Sequence, residues 1–429
     1  MSNTEQKEHR IAIIGLGYVG LPLALHFIES DCHVIAIDSA TDKVEALAQG
    51  RSYIHHIAEA DIQAALASKR FTPTTEVDAI ASAQAIVLCL PTPLGRHREP
   101  DLSYVLNTAE TIAPHLQKGQ LIVLESTIYP GATEGALRET LETLSGMRAG
   151  QDFALAYSPE RENPGSSEIA FKSIPKIVGG LTSSCCERAV TLYSQVVDTV
   201  VPVSSCRTAE AAKLLENIFR SVNIALVNEL KTVYSALDID IWEVIEAAKT
   251  KPFGFMPFYP GPGLGGHCLP IDPFYLTWKA REIGENTRFI ELAGEVNTAM
   301  PDYVIRQVTD ALNDDSKPLK GSRILLLGLA YKANVDDDRE SPSYALMAKL
   351  EAKGAITAYH DPYVPSIRPT RSYPDFAGRS STPISADFDL LLLVTPHREY
   401  QDFDFSDYPI PLVDTRNCVQ KRPQKYYKA

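Results

Sequence analysis

One cysteine lies in a glycine-rich segment in the second half of the chain. The segment Gly261-Pro-Gly-Leu-Gly-Gly-His-Cys268 is followed four residues later by Asp272. Glycines cannot build an apolar core around a thiol, and they let a substrate approach the backbone. The spacing therefore predicts that Cys268 is a nucleophile, with Asp272 as a base or a group that orients water. An inert thiol is the alternative, and His267 is a second, weaker candidate for the base.

A dinucleotide-binding fingerprint stands near the N-terminus. Residues 10–15 are typical of a buried parallel strand, and Gly15-Leu-Gly17-Tyr-Val-Gly20 then opens an amphipathic helix. Asp38 ends the next predicted strand, where a carboxylate accepts hydrogen bonds from a ribose 2′-hydroxyl and repels a 2′-phosphate. The pattern predicts NAD rather than NADP. A strand–helix turn without a ligand is the alternative.

A nicotinamide cofactor and a cysteine nucleophile together indicate one chemistry. An alcohol is oxidised to an aldehyde, and the thiol captures the aldehyde as a thiohemiacetal. A second oxidation leaves a thioester, which water opens to the acid. The sequence therefore predicts a four-electron dehydrogenase.

Length and composition limit the class of protein. The chain has 429 residues, 45% of them hydrophobic and 22% charged, which predicts a globular protein of two or three domains. No apolar run is long enough to span a bilayer, and the polar N-terminus is no secretory signal. The seven cysteines show no Cys-x-x-Cys spacing, which predicts no metal site and a reducing cytosol. The net charge of −13 disfavours nucleic acid and anionic membranes as partners.

The elements that would position these residues form a repeat. Alternating strands and helices predict a doubly wound parallel sheet, an α/β fold. A stretch without glycine or proline, residues 208–237, predicts one long helix. From Arg323 the strand–glycine–helix pattern begins again, without the full glycine triplet. We therefore expect two Rossmann-like domains joined by a helical middle domain, with boundaries at 1–200, 201–305 and 306–429.

Several polar residues lie where such a fold would form a ligand site. Glu210, Lys213 and Asn217 share one face of the long helix, and a lysine with an asparagine can stabilise an oxyanion. From spacing alone, a solvated face with a Glu–Lys pair is the more frequent arrangement. Thr127 and Glu160 follow buried strands, whose carboxyl ends border the ligand crevice in α/β sheets. Either could equally cap a helix.

With these residues assembled, the chain resembles the nucleotide-sugar 6-dehydrogenase family over nearly its whole length. The resemblance rests on motifs that occur together and in order, namely Gly15-Leu-Gly-Tyr-Val-Gly-Leu-Pro22, Pro91-Thr-Pro93, Pro100-Asp-Leu-Ser103, Glu125-Ser-Thr127, Ser158-Pro-Glu160, Glu210 with Lys213 and Asn217, Gly263-Leu-Gly-Gly-His-Cys268, and Gly328-Leu-Ala-Tyr-Lys332 through Arg339-Glu-Ser-Pro342.

The resemblance implies a role for each site residue. Cys268 is the expected nucleophile, Lys213 and Asn217 stabilise oxyanions, and Asp272, Thr127 and Glu160 manage water and protons. The expected cofactor contacts are Gly15, Gly17, Tyr18, Val19, Gly20, Asp38, Lys43, Thr92 and Thr127. The expected substrate contacts are Glu160, Arg161, Lys213, Asn217, Tyr259, Gly263, Gly265, Lys332 and Arg339. Which of Glu160 and Glu162 takes each family glutamate's role stays open.

The resemblance also implies a substrate, a cofactor requirement and an assembly. Residues 158–165 and 253–260 look like the branch that acts on N-acetylated UDP-hexosamines, and favour UDP-N-acetylglucosamine. UDP-N-acetylgalactosamine, UDP-N-acetylmannosamine and UDP-glucose are the alternatives. The family uses two NAD per turnover, forms dimers through the long helix and sometimes larger assemblies, and its products serve surface polysaccharide synthesis.

Two other classes of protein compete with this interpretation. A two-electron hydroxyacid dehydrogenase shares the first domain and a helical middle, but needs neither the cysteine nor residues 320–429. A non-catalytic NAD sensor with a redox-reactive Cys268 would not need Lys213, Asn217 and Asp272. Counting NADH per substrate separates the three, at about two, one and none.

Overall fold

The computed structural model describes residues 9–55, 57–95, 99–162, 170–266, 269–370 and 372–429. The chain divides into two compact units. The first contains Met1–Glu216 and Trp278–Gly284, and the second contains Asn217–Thr277 and Glu285–Ala429. Among the described residues, no helix combines the length and the apolar character that crossing a membrane requires.

The strands and helices alternate over most of the chain. The strands are β1 (Arg10–Ile14), β2 (His33–Ile37), β3 (Phe71–Thr74), β4 (Ala85–Leu88), β5 (Leu121–Leu124), β6 (Ala154–Tyr157), β7 (Lys176–Gly180), β8 (Val200–Val203), β9 (Arg323–Leu327), β10 (Ile356–His360), β11 (Leu390–Leu393), β12 (Leu412–Asp414) and β13 (Tyr426–Lys428). The α-helices are α1 (Gly20–Glu29), α2 (Thr41–Ala48), α3 (Glu59–Ala67), α4 (Ser103–Ile112), α5 (Arg138–Ser145), α6 (Ser183–Tyr193), α7 (Cys206–Ala236), α8 (Ile241–Ala248), α9 (Asp272–Glu282), α10 (Arg288–Asp314), α11 (Pro342–Ala352) and α12 (Arg398–Asp402).

The sheet of the first unit has the order β3-β2-β1-β4-β5-β6-β7-β8. All neighbouring strands are parallel except β6 and β7. Along β1, Ile11 and Ile13 pack into one apolar cluster, and Ala12 and Ile14 pack into another. Both faces of the sheet are therefore covered, which explains why the strand is apolar without alternation.

The sheet of the second unit has the order β10-β9-β11-β12-β13, and its strands are parallel throughout. Along β9, Ile324 and Leu326 belong to one cluster, and Leu325 and Leu327 belong to another. This sheet is also covered on both faces. The predicted α/β fold with two Rossmann-like sheets and a helical middle region is confirmed, and the antiparallel pairing of β6 and β7 is the departure from the predicted parallel sheet.

The helix α7 occupies Cys206–Ala236, within two residues of the predicted 208–237. Its 31 residues contain no glycine or proline, so no residue interrupts the backbone hydrogen bonds. The first unit ends at Glu216, within α7, and the second begins at Asn217. Each unit therefore contains some of the predicted site residues.

Candidate active site

The fingerprint turn of the first unit shows why each glycine is needed. Gly15 has a φ of +93°, and a Cβ atom there would lie 2.2 Å from the carbonyl oxygen of Cys89. A Cβ on Gly20 would lie 1.9 Å from the carbonyl oxygen of Gly15. At Gly17, by contrast, no described atom lies within 4 Å of the Cβ position. The outer glycines permit close backbone packing, whereas the middle one leaves room for a ligand, as a diphosphate would require.

Asp38 follows β2 and holds this turn in place. Its Oδ2 atom accepts hydrogen bonds from the Leu16 amide at 2.9 Å and from the Lys43 ammonium at 3.2 Å. Its Oδ1 atom accepts one from the Ala40 amide at 2.9 Å. The carboxylate is thus fixed and largely buried at the position predicted for a ribose-binding acid, with the predicted contact Lys43 beside it.

The other predicted cofactor contacts follow the same strands or open the first helix. Tyr18 lies in the turn after β1, and Val19 is the N-cap residue of α1. Thr92 follows β4, and the half-buried Thr127 follows β5. These residues come from the carboxyl ends of parallel strands, where α/β sheets bind ligands.

Lys213 is buried and forms an ion pair, so the solvated charged face expected from spacing is wrong. Its ammonium group lies 3.7 Å from the Glu160 carboxylate and donates to the Glu160 carbonyl oxygen at 2.5 Å. Its side chain is only 7% exposed. Glu160 follows β6, so the structure brings together two residues predicted for the site.

Glu210 does not pair with Lys213 in the way that the Glu–Lys alternative required. It is fully buried, and its carboxylate accepts hydrogen bonds from the backbone amides of Gly131 and Thr133 at 2.5 and 3.0 Å. Burial raises its pKa above the usual value, against the effect of these hydrogen bonds. Glu210 therefore ties α7 to the segment after Thr127, which is a structural role.

Arg161 and Glu162 differ in their surroundings. The Arg161 guanidinium donates to the Glu216 carboxylate at 2.6 Å, so this predicted substrate contact is paired with α7. The sequence does not decide which family glutamate's role Glu162 takes. Burial, and then the nearby charge of Glu160, raise its pKa to about 8, so Glu162 is largely protonated at neutral pH.

Sequence reasoning missed a buried ion pair below this segment. Lys176 donates to the Glu125 carboxylate at 2.9 Å, and the Tyr193 hydroxyl donates to the other oxygen at 2.5 Å. Glu125, Lys176, Glu160 and Glu162 line a cavity of about 20 Å³, which is room for about one water molecule. The available signal was Lys176 itself, a charged residue in an otherwise apolar strand.

In the second unit, two predicted catalytic residues meet directly. The Asn217 side-chain amide donates to the Asp272 Oδ2 atom at 2.7 Å, and both side chains are buried. Asp272 is the first residue of α9, where the partial positive charge of the helix N-terminus stabilises a carboxylate. Cys268 and His267 lie outside the described residues.

The glycines before Cys268 make room for side chains of the same unit. A Cβ on Gly265 would lie 2.9 Å from both Tyr331 and Pro342, and a Cβ on Gly266 would lie 2.7 Å from the Tyr331 ring. Gly263 has a φ of +141° and faces Pro342 at 3.4 Å. The glycines thus let the segment approach the loop after β9, in addition to any contact with substrate.

The remaining predicted substrate contacts have partners of their own. The Tyr259 hydroxyl donates to Glu246 at 2.7 Å, and its ring stacks on Trp242. Lys332 lies in the loop after β9. The Arg339 guanidinium donates two hydrogen bonds to Asp337 of its own loop, at 2.6 and 2.7 Å.

Three family models match the chain in order. Residues 9–197 match the NAD binding domain of the UDP-glucose/GDP-mannose dehydrogenase family, residues 207–299 its central domain and residues 325–421 its UDP binding domain. A UDP-N-acetyl-D-glucosamine 6-dehydrogenase of Pseudomonas aeruginosa is 35% identical over 397 residues, which is 92% of each chain. The chain belongs to the UDP-glucose/GDP-mannose dehydrogenase family.

Other members of this family differ in their sugars. An NDP-N-acetyl-D-galactosaminuronic acid dehydrogenase of Ralstonia nicotianae is 34% identical and covers 92% of each chain. The solved structure of a UDP-D-ManNAc dehydrogenase from Pyrococcus horikoshii matches with a TM-score of 0.88 at 30% identity, over 98% of each chain. The three relatives act, by name, on three N-acetylated sugars.

Family membership establishes the cofactor and the kind of substrate. The protein is an NAD-dependent UDP-sugar dehydrogenase. The space at Gly17 and the fixed carboxylate of Asp38 fit NAD. Lys332 and Arg339 lie within the residues matched to the UDP binding domain.

Proposed function

We propose that this dehydrogenase oxidises the C6 hydroxyl of UDP-N-acetylglucosamine to the carboxylate, with two NAD consumed per sugar. The observation that carries the cysteine-dependent reaction is the buried Asn217–Asp272 hydrogen bond, whose acid lies four residues after Cys268. The residues 158–165 and 253–260 and the relative from Pseudomonas aeruginosa support the choice of sugar. The galacto and manno epimers are the competing substrates, since relatives named for both are similar to this chain.

The proposed roles divide among three parts of the chain. Residues 1–200 bind NAD, residues 201–305 carry the nucleophile and the dimer helix, and residues 306–429 bind the UDP-sugar. When bound, NAD supplies the hydride acceptor for both oxidations. The first oxidation converts the C6 alcohol to an aldehyde and releases one proton.

The Cys268 thiolate then adds to the aldehyde carbon, and the resulting oxyanion takes a proton to give the thiohemiacetal. Its oxidation releases a hydride and a proton and leaves a thioester. Water adds to the thioester carbon, the C–S bond breaks, and the carboxylate forms. Lys213 and Asn217 donate to the oxyanion at each stage, because a buried cation and an amide stabilise negative charge most where water is excluded.

Three residues are proposed to manage protons and water. Asp272 accepts the proton of the attacking water, with Asn217 holding its carboxylate in one orientation. Glu160 and Thr127 orient the water. Glu160 has the Lys213 ammonium 3.7 Å from its carboxylate, whereas burial and the nearby charge of Glu160 raise the pKa of Glu162.

A panel of UDP-sugars decides the substrate. The purified protein is given UDP-N-acetylglucosamine, its galacto and manno epimers and UDP-glucose, and kcat/KM is measured by NADH release. We expect the highest value for UDP-N-acetylglucosamine, with about two NADH per sugar and a uronic acid detected by mass spectrometry. A higher kcat/KM for another sugar would overturn the substrate, and one NADH per sugar would overturn the reaction.

The variant Cys268→Ser tests the nucleophile in the same assay. A serine hydroxyl has a far higher pKa than a thiol, and an oxygen ester is opened less readily than a thioester. We expect uronic acid formation to stop while NAD binding is retained. Normal output of uronic acid from this variant would contradict the assignment.

We also propose a homodimer formed through α7. Phe219, Leu226 and Val233 recur every seven residues along the helix and are exposed by 44%, 53% and 47%. An exposed apolar stripe on a long helix is typical of a surface that packs against a second copy. Sedimentation analysis of Leu226→Glu should show a monomer where the parent protein is a dimer.

A further inference from the structure

The turn after β9 in the second unit reproduces the fingerprint turn of the first. The Gly15 amide donates to the Ile37 carbonyl oxygen at 2.8 Å, and the Gly328 amide donates to the His360 carbonyl oxygen at 2.8 Å. Both glycines have a φ of +93°. Asp38 accepts from the Leu16 amide, and the equivalent acid, Asp361, accepts from the Leu329 amide. The two acids therefore occupy equivalent positions.

The second acid differs in what surrounds it. Asp361 is buried, and its Oδ2 atom accepts from the amides of Leu329 and Ala330 and lies 3.0 Å from Nε2 of His397. Its Oδ1 atom accepts from two amides of the segment that follows β10. Asp361 accepts from four backbone amides and lies against His397, so it fixes the turn and the ring, whereas Asp38 accepts from two amides and the Lys43 side chain.

His397 also holds the far end of the same loop. Its Nδ1 atom accepts a hydrogen bond from the Asn334 amide at 2.9 Å, so Nε2 carries the proton and donates to Asp361. The Asn334 backbone is left-handed, with a φ of +63°, and its side-chain oxygen accepts from the Arg398 amide at 3.1 Å. The hydroxyl of Thr395 donates to the Ala330 carbonyl oxygen at 2.6 Å.

Residues 330–334 form the Lys332 loop. Hydrogen bonds to residues 395–398 therefore hold both ends of this loop. Between these ends lie Tyr331, whose ring lies against Gly266, and Lys332. A lysine on a flexible loop would lose conformational entropy on binding a UDP-sugar, whereas one on a fixed loop is already placed. His397 is completely buried, and so acts only through the backbone that it holds.

We propose that His397 is a positioning residue for UDP-sugar binding, and that it acts by fixing the Lys332 loop through its two ring nitrogens. The inference rests on the proposed role of Lys332 as a substrate contact. The hydrogen bond to Asp361 orients the His397 ring, and the oriented ring holds the Asn334 amide. The ligand class is a nucleoside diphosphate sugar bound by the residues 325–421 that match a UDP binding domain.

Two amide variants separate the two ring nitrogens. In His397→Gln the side-chain nitrogen takes the place of Nε2 and keeps the bond to Asp361, but the acceptor for the Asn334 amide is lost. In His397→Asn the side-chain oxygen takes the place of Nδ1 and keeps that acceptor, but the donor to buried Asp361 is lost.

We expect the two variants to rank in opposite orders for UDP affinity and for melting temperature. UDP affinity, measured by calorimetry, should fall about five- to tenfold in His397→Gln, the effect of one lost hydrogen bond, and less in His397→Asn. The melting temperature should fall more in His397→Asn, because that variant leaves a buried carboxylate without its donor. NAD affinity should stay unchanged in both. UDP affinity that simply follows the melting temperature would overturn the proposal.

Three further variants complete the test. His360→Gln changes the neighbouring half-buried histidine, which bonds to Tyr400, and should leave UDP affinity unchanged. Thr395→Val removes the other fixed end and should weaken UDP binding even where a His397 variant does not fold. If Lys332→Met leaves UDP-sugar affinity intact, the proposed function of Lys332 is wrong. If Lys332→Met weakens binding and the His397 and Thr395 variants do not, this inference alone is wrong.

Discussion

The Asn217 side-chain amide donates a hydrogen bond to the Asp272 Oδ2 atom at 2.7 Å, and both groups are buried. A neutral donor satisfies one carboxylate oxygen without adding a charge, so it fixes the orientation of the acid. This contact links residues 55 positions apart and connects α7 to the first residue of α9. The acid proposed to accept the proton of the attacking water is thus held by a residue proposed to stabilise the oxyanion.

Asn217→Asp should therefore place two buried carboxyl groups within hydrogen-bond distance. They cannot both ionise near neutral pH, so the pair is expected to share one proton, and the hydrogen bond from the protonated partner weakens the remaining carboxylate as a base. We predict that kcat falls on the order of a hundredfold at pH 7, and that part of the loss is recovered as pH rises and the second carboxyl ionises. The measurement is the pH dependence of kcat. Asn223→Asp, on the same helix, is the control, because the Asn223 side-chain amide donates to the Phe219 carbonyl oxygen one turn away. Equal effects of the two substitutions would contradict the role of the pair.

Asp38→Asn should separate the two functions of Asp38, which are to hold the fingerprint turn and to repel a 2′-phosphate. The amide oxygen still accepts a hydrogen bond from the turn, but the negative charge that repels a 2′-phosphate is lost. We predict that the preference for NAD over NADP narrows about tenfold, and that the melting temperature falls less than in Asp38→Ala, because one amide oxygen remains to accept from the turn. Asp38→Ala should also release the Leu16 amide and weaken both cofactors. The measurement is the dissociation constant of NAD and of NADP for each of the two variants. An unchanged NAD/NADP ratio would show that another residue selects the cofactor.

The sequence was sufficient for the central strands, the fingerprint and the long helix, because each follows from a local pattern. Residues 10–15 and 323–328 are continuous apolar runs ending in glycine, and both became central strands. The environment of Glu210 and Lys213 did not follow from local pattern, because helical spacing identifies a shared face and not what covers it. Glu210 meets backbone amides 77 and 79 positions away, and Lys176 meets Glu125 across 51 positions. Such contacts depend on tertiary packing that periodicity does not encode.

Arg339→Ala should weaken UDP-sugar binding and leave NAD binding intact. The guanidinium is held by two hydrogen bonds to Asp337, so the expected loss comes from a pre-oriented cation facing phosphate or uracil oxygens. Asp337→Asn is the matched variant, because it weakens the pair and keeps the arginine. We predict that Arg339→Ala reduces UDP affinity by about tenfold or more and that Asp337→Asn reduces it less. If both variants lower the melting temperature and neither changes UDP affinity, the pair is purely structural.

Lys231 should make the stability of the protein depend on pH in the alkaline range. Its ammonium group is buried in α7 with no hydrogen-bond partner among the described residues, and it lies over the Tyr303 ring. Burial, and then the charge of Arg416, lower its pKa to about 7.

The direction of the effect follows from proton binding in the two states. In the unfolded chain the lysine has a pKa of about 10.4. Between that value and about 7 the unfolded state binds more protons than the folded state, so the free energy of unfolding rises as pH increases through this window. Below about pH 7 both states are protonated, and this contribution no longer changes with pH.

Lys231→Met should remove this dependence, since methionine fills a similar volume without a charge. We predict that the variant is more stable than the parent at pH 7, by on the order of a few kcal/mol at most, and that the difference shrinks towards pH 10. Denaturant unfolding at pH 7, 8, 9 and 10 measures it, with the exposed Lys353→Met as the control. A constant difference across this range would mean that Lys231 keeps its proton in the folded protein, with Asp414 or Asp240 as its counter-charge.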